Sequence, residues 1–170
     1  GVKMQVYVST YGKYNNGDLT GAWLKIADYS DKDEFMAACQ KLHSDEQDAE
    51  IMFQDFEGIP HGFNQYIGEC HIDNDVFELP KLSNDELEII HAYISATECE
   101  LFDAIQNASC NFIGKYWNLE EFGMEMAENG CIEIPDNLSN YFDYESYGRD
   151  CLMDFSYTEI DWQYWVFHSD

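Results

Sequence analysis

Apolar and polar residues alternate near the N-terminus in a pattern that predicts a small β-sheet. Residues 4–8 alternate as a half-buried strand does. The pair Asn16-Gly17 indicates a tight turn, and residues 22–26 have the composition of a returning strand, so a hairpin is predicted. Residues 51–56 predict a third strand, after which this first unit is expected to close.

Helical periodicity predicts one helix within this unit. Ser30 is placed to cap it, and the acidic first turn that follows suits the helix dipole. Phe35, Cys39 and Leu42 recur at helical spacing and are its expected buried face.

Two capping-box patterns predict consecutive helices in the middle of the chain. Ser83 with Glu86 begins the first helix, and Thr97 with Glu100 begins the second. The preceding stretch, residues 63–82, has no clear period. A small helical unit is therefore expected here.

The C-terminal part combines helices with a hairpin. Residues 111–117 suit a strand or a hinge. Asn118 then begins a further helix, which Gly130 ends in a left-handed cap. Residues 155–160 and 162–167 alternate and predict a terminal hairpin. The whole pattern predicts an α+β chain of three units: a sheet plus a helix (1–60), short helices (61–110), and helices plus a small sheet (111–170).

The charge changes what such a fold is expected to bind. The 170 residues have 34 carboxylates against 8 lysines and arginines, a net charge of −26 that is spread over both halves of the chain. This excludes nucleic acid and anionic membrane as expected partners and favours a basic protein. At one charge per about 1.7 Å of duplex, the net charge equals that of about 13 base pairs.

Cysteine usage and hydropathy predict a cytoplasmic protein. No run of about 18 apolar residues is present, and the first residues lack an apolar signal region. The scattered cysteines have no CxxC pair and predict reduced, buried thiols. They are Cys39, Cys70, Cys99, Cys110, Cys131 and Cys151.

Some carboxylates occupy positions that disfavour helix stability. Glu121, Glu125 and Glu128 share one face of the predicted helix that Asn118 begins, where each like-charge pair costs about 0.2–0.5 kcal/mol. Glu125 and Glu128 also lie toward the negative end of the helix dipole. Placement against stability suggests a demand from outside the fold. From the residues alone, a generally solvated acidic surface is favoured over the hypothesis that such rows stand in for DNA phosphates.

Catalytic and metal-binding patterns are weak. Asp73 and Asp75 begin like a calcium loop, but Phe77 and Glu78 occupy positions that the loop needs for a ligand and a glycine. The histidines have no metal-ligand spacing, and no nucleophile elbow is present. No enzyme activity, metal or other cofactor is expected.

A polar, aromatic segment at residues 134–150 contains the only arginine, Arg149, among three tyrosines and four carboxylates. Gly148 is expected to kink the backbone beside it. Local physics favours an amphipathic helix whose aromatics enter a core while Arg149 pairs with Asp143, Glu145 or Asp150.

This segment resembles the C-terminal motif of the ArdA antirestriction proteins. The matching positions are Pro135, Leu138, Tyr141, Asp143, Tyr144, Tyr147, Gly148, Arg149 and Asp150. Residues 6–8, 12–17 and 19–23 also resemble the opening strand, turn and strand of that family. Residues 58–115 are similar only in composition and predicted helices.

The resemblance implies an elongated, dimeric inhibitor carried by mobile elements. Its surface would be similar to bent B-form DNA and would occupy the methyltransferase–specificity core of type I restriction-modification enzymes, in competition with DNA. The motif tyrosines, Gly148 and Arg149 are expected to hold the structure or a subunit contact. The expected phosphate mimics are Asp45, Glu46, Asp48, Glu50, Glu86, Glu88, Glu100, Asp103, Glu121, Glu125, Glu128, Asp143, Glu145 and Asp150.

Two other classes of protein stay open. An immunity protein for a basic nuclease would neutralise one cognate partner and leave restriction enzymes unaffected. An acidic hydrolase would depend on one or two carboxylates, whereas a mimic would lose function gradually as acids are removed.

Overall fold

The computed structural model describes residues 3–169, apart from the side chain of Cys131, and shows a mixed α+β chain. The chain forms two compact units, Gly1–Leu87 and Glu88–Asp170. Each contains a three-stranded antiparallel sheet. The α+β class is confirmed, and the finer division into three units stays a prediction.

The sheet of the N-terminal unit has the order β2-β1-β3. Its strands are β1 (Gln5–Thr10), β2 (Ala22–Lys25) and β3 (Ile51–Glu57). Both the hairpin and the third strand are confirmed. The link between the first two strands is longer than the predicted turn, because a short helix α1 (Tyr11–Asn15) follows β1 before Gly17 turns the chain at φ 76°.

Helix α2 (Lys32–Leu42) begins one residue later than predicted. Asp31 is its cap, with a carboxylate that accepts a hydrogen bond from the Glu34 amide at 2.8 Å. The predicted cap, Ser30, instead donates its hydroxyl to the Glu34 carboxylate. Asp is as good a cap as Ser, so the pattern alone left two adjacent candidates.

An aromatic cluster fills the core of this unit. The fully buried ring of Phe35 lies 5.8 Å from Phe53 and 5.5 Å from Phe77, measured between centroids. Cys39 is buried as predicted. Leu42 is 37% exposed, so its prediction as a core residue is wrong: it is the last residue of the helix.

The stretch without a clear period contains 3₁₀ helices. They span Asn64–Tyr66 and Asn74–Lys81, with a single bridge between Ile67 and Ile72. Their period of three matches neither the helical nor the strand template, which explains why the sequence showed no pattern.

Four longer helices follow. They are α3 (Asn84–Thr97), α4 (Leu101–Asn111), α5 (Leu119–Met126) and α6 (Tyr144–Leu152). The capping box at Ser83 is confirmed, since its hydroxyl accepts the Glu86 amide at 3.1 Å. The box at Thr97 is wrong: Thr97 ends α3 and donates to the Tyr93 carbonyl at 2.7 Å, while Glu100 precedes α4 without a side-chain cap bond.

The second sheet has the order β4-β6-β5 and includes the predicted terminal hairpin. Its strands are β4 (Phe112–Tyr116), β5 (Phe155–Ile160) and β6 (Gln163–His168). A two-residue turn of Asp161 and Trp162, at φ 51° and 67°, joins the last two. Gly130, at φ 86°, ends the turn after α5 in the predicted left-handed conformation.

Helices α5 and α6 touch through two glycines. A Cβ on Gly148 would lie 2.2 Å from the Leu119 carbonyl oxygen, and a Cβ on Gly123 would lie 2.0 Å from the Tyr144 carbonyl oxygen. The expected kink at Gly148 is therefore wrong: the residue lies inside regular α6 and serves close helix packing.

The five cysteines whose side chains are described are free thiols, but they are less buried than predicted. Cys39 is buried and Cys99 and Cys151 are half-buried, whereas Cys70 and Cys110 are exposed, which corrects the expectation for those two. The sixth, Cys131, lies outside the described side chains.

Candidate functional site: an acidic interaction surface

Thirteen of the fourteen predicted phosphate-mimicking acids have exposed side chains. The exception is Glu46, which is half-buried beside Gly12, where its Oε1 lies 2.7 Å from the position of an added Cβ. Exposure is the first requirement for a surface that meets a partner through charge.

The acids after α2 include one ion pair. The Lys13 ammonium contacts Asp45 Oδ1 at 2.9 Å, and this hydrogen bond holds the pKa of the Asp45 carboxyl below its usual value. Asp48 and Glu50 follow on the exposed loop before β3, with Asp48 in the left-handed region at φ 54°. This loop therefore combines one partly neutralised carboxylate with two exposed ones.

The acids of α3 and α4 lie at the start of each helix. Glu86 accepts a hydrogen bond from the Ser83 hydroxyl at 3.3 Å, and Glu88 is exposed one residue beyond Leu87. Glu100 and Asp103 flank the first turn of α4. Negative charge at these positions is favourable for the helix dipole, so stability accounts for part of this pattern.

The acids of α5 have internal hydrogen bonds that the sequence did not reveal. Glu121 accepts the Trp117 amide at 2.9 Å, and the Tyr116 hydroxyl donates to Glu125. Burial and then the Glu125 carboxylate raise the pKa of Tyr116. These hydrogen bonds offset part of the expected cost at Glu121 and Glu125, and the placement of the three acids against helix stability stays a prediction.

The acids of the motif surround the first turns of α6. Asp143 caps the helix by accepting the Ser146 amide at 3.0 Å and its hydroxyl at 2.7 Å, and both bonds lower the pKa of the Asp143 carboxyl. Arg149 pairs with Glu145 at 3.1 Å, one of the three pairings expected from the sequence. Asp150 is exposed on the same helix.

The motif aromatics divide between packing and exposure. Phe142 contacts Tyr144 and Tyr147 with ring centroids at 4.9 and 5.6 Å, and Tyr147 packs on the core of the unit. Tyr141 is 86% exposed, at the end of a 3₁₀ turn that Pro135 precedes and in which Leu138 is also exposed. Tyr144 and Tyr147 therefore contribute to packing, while Tyr141 lies at the surface.

An open cleft of about 400 Å³ lies between the start of α5, the first turn of α6 and the β5–β6 hairpin. Aromatic rings and carboxylates line it together, among them Trp117, Trp162, Tyr164, Glu120, Glu145 and Glu159. Of these, sequence reasoning selected only Glu145. The available signal was a tryptophan in the second position of a two-residue hairpin turn, where glycine is usual.

Within residues 3–169, no helix combines the length and hydropathy needed to cross a bilayer. Across the side chains described there, no three His, Cys, Asp or Glu residues converge as ligands for a metal ion.

Comparison with protein-family models matches residues 6–166 to the family described as antirestriction protein (ArdA). The match covers nearly the whole chain, including the segment between the two regions of resemblance noted above. No curated protein matches the chain.

Proposed function

The chain belongs to the ArdA antirestriction protein family, and from this premise we propose that it inhibits type I restriction-modification enzymes as a mimic of B-form DNA. It occupies the DNA-binding site of the methyltransferase–specificity core and competes there with DNA. Binding releases counterions from the basic cleft of the enzyme, as DNA binding does. The mechanism requires no catalytic step in the inhibitor.

The observation that supports this proposal most is the exposure of the acids. Thirteen of fourteen candidate carboxylates face solvent in a chain whose net charge is −26. Such a surface repels nucleic acid and attracts lysine- and arginine-rich protein clefts. In the proposed mechanism the inhibitor acts in the cytoplasm, where restriction enzymes meet incoming DNA.

A homodimer is part of the proposal. Two copies would present twice the charge of one chain, which equals that of about 26 base pairs of duplex. A dimer would therefore extend the competing surface along a longer DNA-binding cleft.

The test is DNA cleavage by a purified type I enzyme with increasing inhibitor at two DNA concentrations. We expect inhibition that additional DNA relieves, as competition requires. Polyglutamate with the same total charge is the matched control, because it tests whether charge without the folded arrangement is sufficient. Absence of inhibition across several type I specificities, or equal inhibition by polyglutamate, would overturn the proposal.

A further inference from the structure

The strongest unassigned feature is the cleft between α5, α6 and the β5–β6 hairpin. Its volume of about 400 Å³ is enough for a large side chain, and it is open to solvent. Trp117 and Trp162 are 65% and 91% exposed. Indole rings this exposed in a concave site are an unusual use of apolar surface and are typical of binding residues.

The backbone conformation at Trp162 also indicates a binding residue. The residue has φ 67° and, with Asp161 at 51°, forms the centre of a two-residue hairpin turn. Such turns favour Asn-Gly or Asp-Gly because the second position needs a left-handed conformation. A bulky residue is strained there, and local strain that brings no packing is a feature of functional sites.

The carboxylates of the cleft lie next to its rings. Glu159 is directly opposite Tyr164 across the β5–β6 pair, and burial followed by this carboxylate raises the pKa of the Tyr164 hydroxyl. Glu120 is exposed at the start of α5. On the remaining side, Glu145 pairs with Arg149 at 3.1 Å, so an arginine of this chain already contacts one wall.

Aromatic faces beside carboxylates select for a cation with a flat surface. An arginine guanidinium stacks on indole and forms forked hydrogen bonds to carboxylates, whereas a lysine ammonium is a point charge that is more strongly hydrated. A second copy of this chain is a poor occupant, since it presents 34 carboxylates and only 8 basic residues.

We propose that this cleft is a receptor for an arginine side chain of the basic partner, held between Trp117, Trp162 and the carboxylates of Glu120 and Glu159. The inference rests on the proposed function, because the arginine would be one that the enzyme otherwise directs at DNA. It adds a specific contact to an otherwise general electrostatic surface.

The first test is Trp162→Gly, with stability and binding measured on the same sample. Glycine removes the strained side chain, so Tm is expected to rise by about 2–4 °C. Binding of a tetra-arginine peptide, followed by calorimetry, is expected to weaken about tenfold with loss of the cation–π contact. A fall in Tm would show that Trp162 serves the fold, and unchanged peptide binding would show that its ring does not hold arginine. Either result would overturn the proposal.

The second test compares peptides of equal charge. The wild-type chain is expected to bind tetra-arginine about tenfold more tightly than tetra-lysine, and Glu159→Gln is expected to reduce this preference. The controls are Phe102→Ala, which removes an exposed aromatic ring outside the cleft, and Glu133→Gln, which removes an exposed carboxylate outside it. Equal affinity for the two peptides would overturn the proposal.

Further readouts separate this inference from the function on which it rests. If the wild type inhibits cleavage and Trp162→Gly inhibits equally well, the proposal of an arginine site is wrong, while the proposed DNA mimicry is unaffected. If no type I enzyme is inhibited but the preference for arginine depends on Trp162, the cleft binds arginine and the proposed inhibition of type I enzymes is wrong. If Trp162→Gly only converts a dimer to a monomer in sedimentation, the cleft is a self-association surface and the proposal fails.

Discussion

The two units of this chain have equal numbers of carboxylates and very different numbers of cations. Residues 1–87 and 88–170 each contain seventeen carboxylates, but the first has six lysines and the second only Lys115 and Arg149. In the first unit lysines contact acids, as in the pairs Lys13–Asp45 and Lys81–Glu78.

In the second unit neutral donors hold several acids. A tyrosine hydroxyl donates to Glu125, a backbone amide to Glu121, and both the amide and the hydroxyl of Ser146 to Asp143. Lys115 lies over the Trp165 ring, 5.1 Å from its centroid. Such bonds also occur in the first unit, where Ser30 donates to Glu34, and they fix a carboxylate without cancelling its charge. The second unit keeps more of its negative field for a partner because it has two cations instead of six.

The largest expected effect tests how the more highly charged unit stays folded. Gly148→Ala should destabilise the chain by about 3 kcal/mol, because its Cβ would meet the Leu119 carbonyl and force α5 and α6 apart. Gly12→Ala is the matched change in the first unit, where the closest atom to Cβ would be the end of the Glu46 side chain instead of a backbone atom; less than about 1 kcal/mol is expected. Urea unfolding measures both, and equal effects would contradict the close-packing account.

The next prediction concerns a buried polar group of the first unit. His43 is 1% exposed, with Nε2 at 3.0 Å from the Val8 carbonyl and Nδ1 at 2.9 Å from the Lys13 ammonium. His43→Leu should cost about 2 kcal/mol, because both partners lose a hydrogen bond. Trp165→Phe removes a buried indole N–H without a partner among the described residues, so it breaks no protein hydrogen bond, and the smaller ring should lower the free energy of unfolding by only about 1 kcal/mol.

A smaller effect tests whether neutral donors position the charges. Tyr116→Phe removes the hydroxyl that donates to Glu125 and leaves the net charge unchanged. We expect a cost of about 1 kcal/mol in stability and about threefold weaker inhibition, because the carboxylate becomes mobile. The control is Tyr157→Phe, at an exposed tyrosine of β5. If Tyr116→Phe inhibits as well as the wild type, fixed placement of the Glu125 carboxylate has no role in inhibition.

The smallest effect depends on pH. The pKa of Asp143 is lowered in the folded chain by its bonds to Ser146, so its cap stabilises the fold above the ordinary value of 3.8 and the contribution is lost as pH falls through the folded pKa. Thermal unfolding of the wild type and Asp143→Ala should show a gap in Tm at pH 7 that begins to narrow below the ordinary value of 3.8 and closes as pH falls through the lower folded pKa. A gap that stays as large in strong acid as at pH 7 would show that ionisation is irrelevant. Asp154→Ala, at an exposed acid outside a helix cap, is the control.

Sequence patterns predicted the elements whose periodicity is local. Alternation around Val6 and Val8, and in the terminal hairpin, identified strands because one face of each sheet is buried. The 3₁₀ segment around Pro80 was missed since its period fits neither template. The false capping box at Thr97 arose because the same residue types also suit the last turn of a helix.

The surface could be predicted only in part. Exposure of the acids followed from the cost of burying charge, which applies to every carboxylate alike. The partners of Glu121 and Glu125 and the contact at Gly148 depend on neighbouring elements, so sequence spacing did not reveal them. Trp162 was missed because the sequence placed it as the first residue of the last strand, whereas the structure places it in the turn before β6.

The contact between Gly123 and Gly148 has a consequence for genetic screens. The glycine within the most recognisable motif of the chain lies where two helices pack so closely that a Cβ would meet a backbone carbonyl oxygen. A screen for lost antirestriction activity would therefore recover substitutions at Gly148 as misfolded, poorly accumulating protein. Counting such mutants as contact residues would confuse loss of folding with loss of binding, so soluble yield must be scored alongside activity.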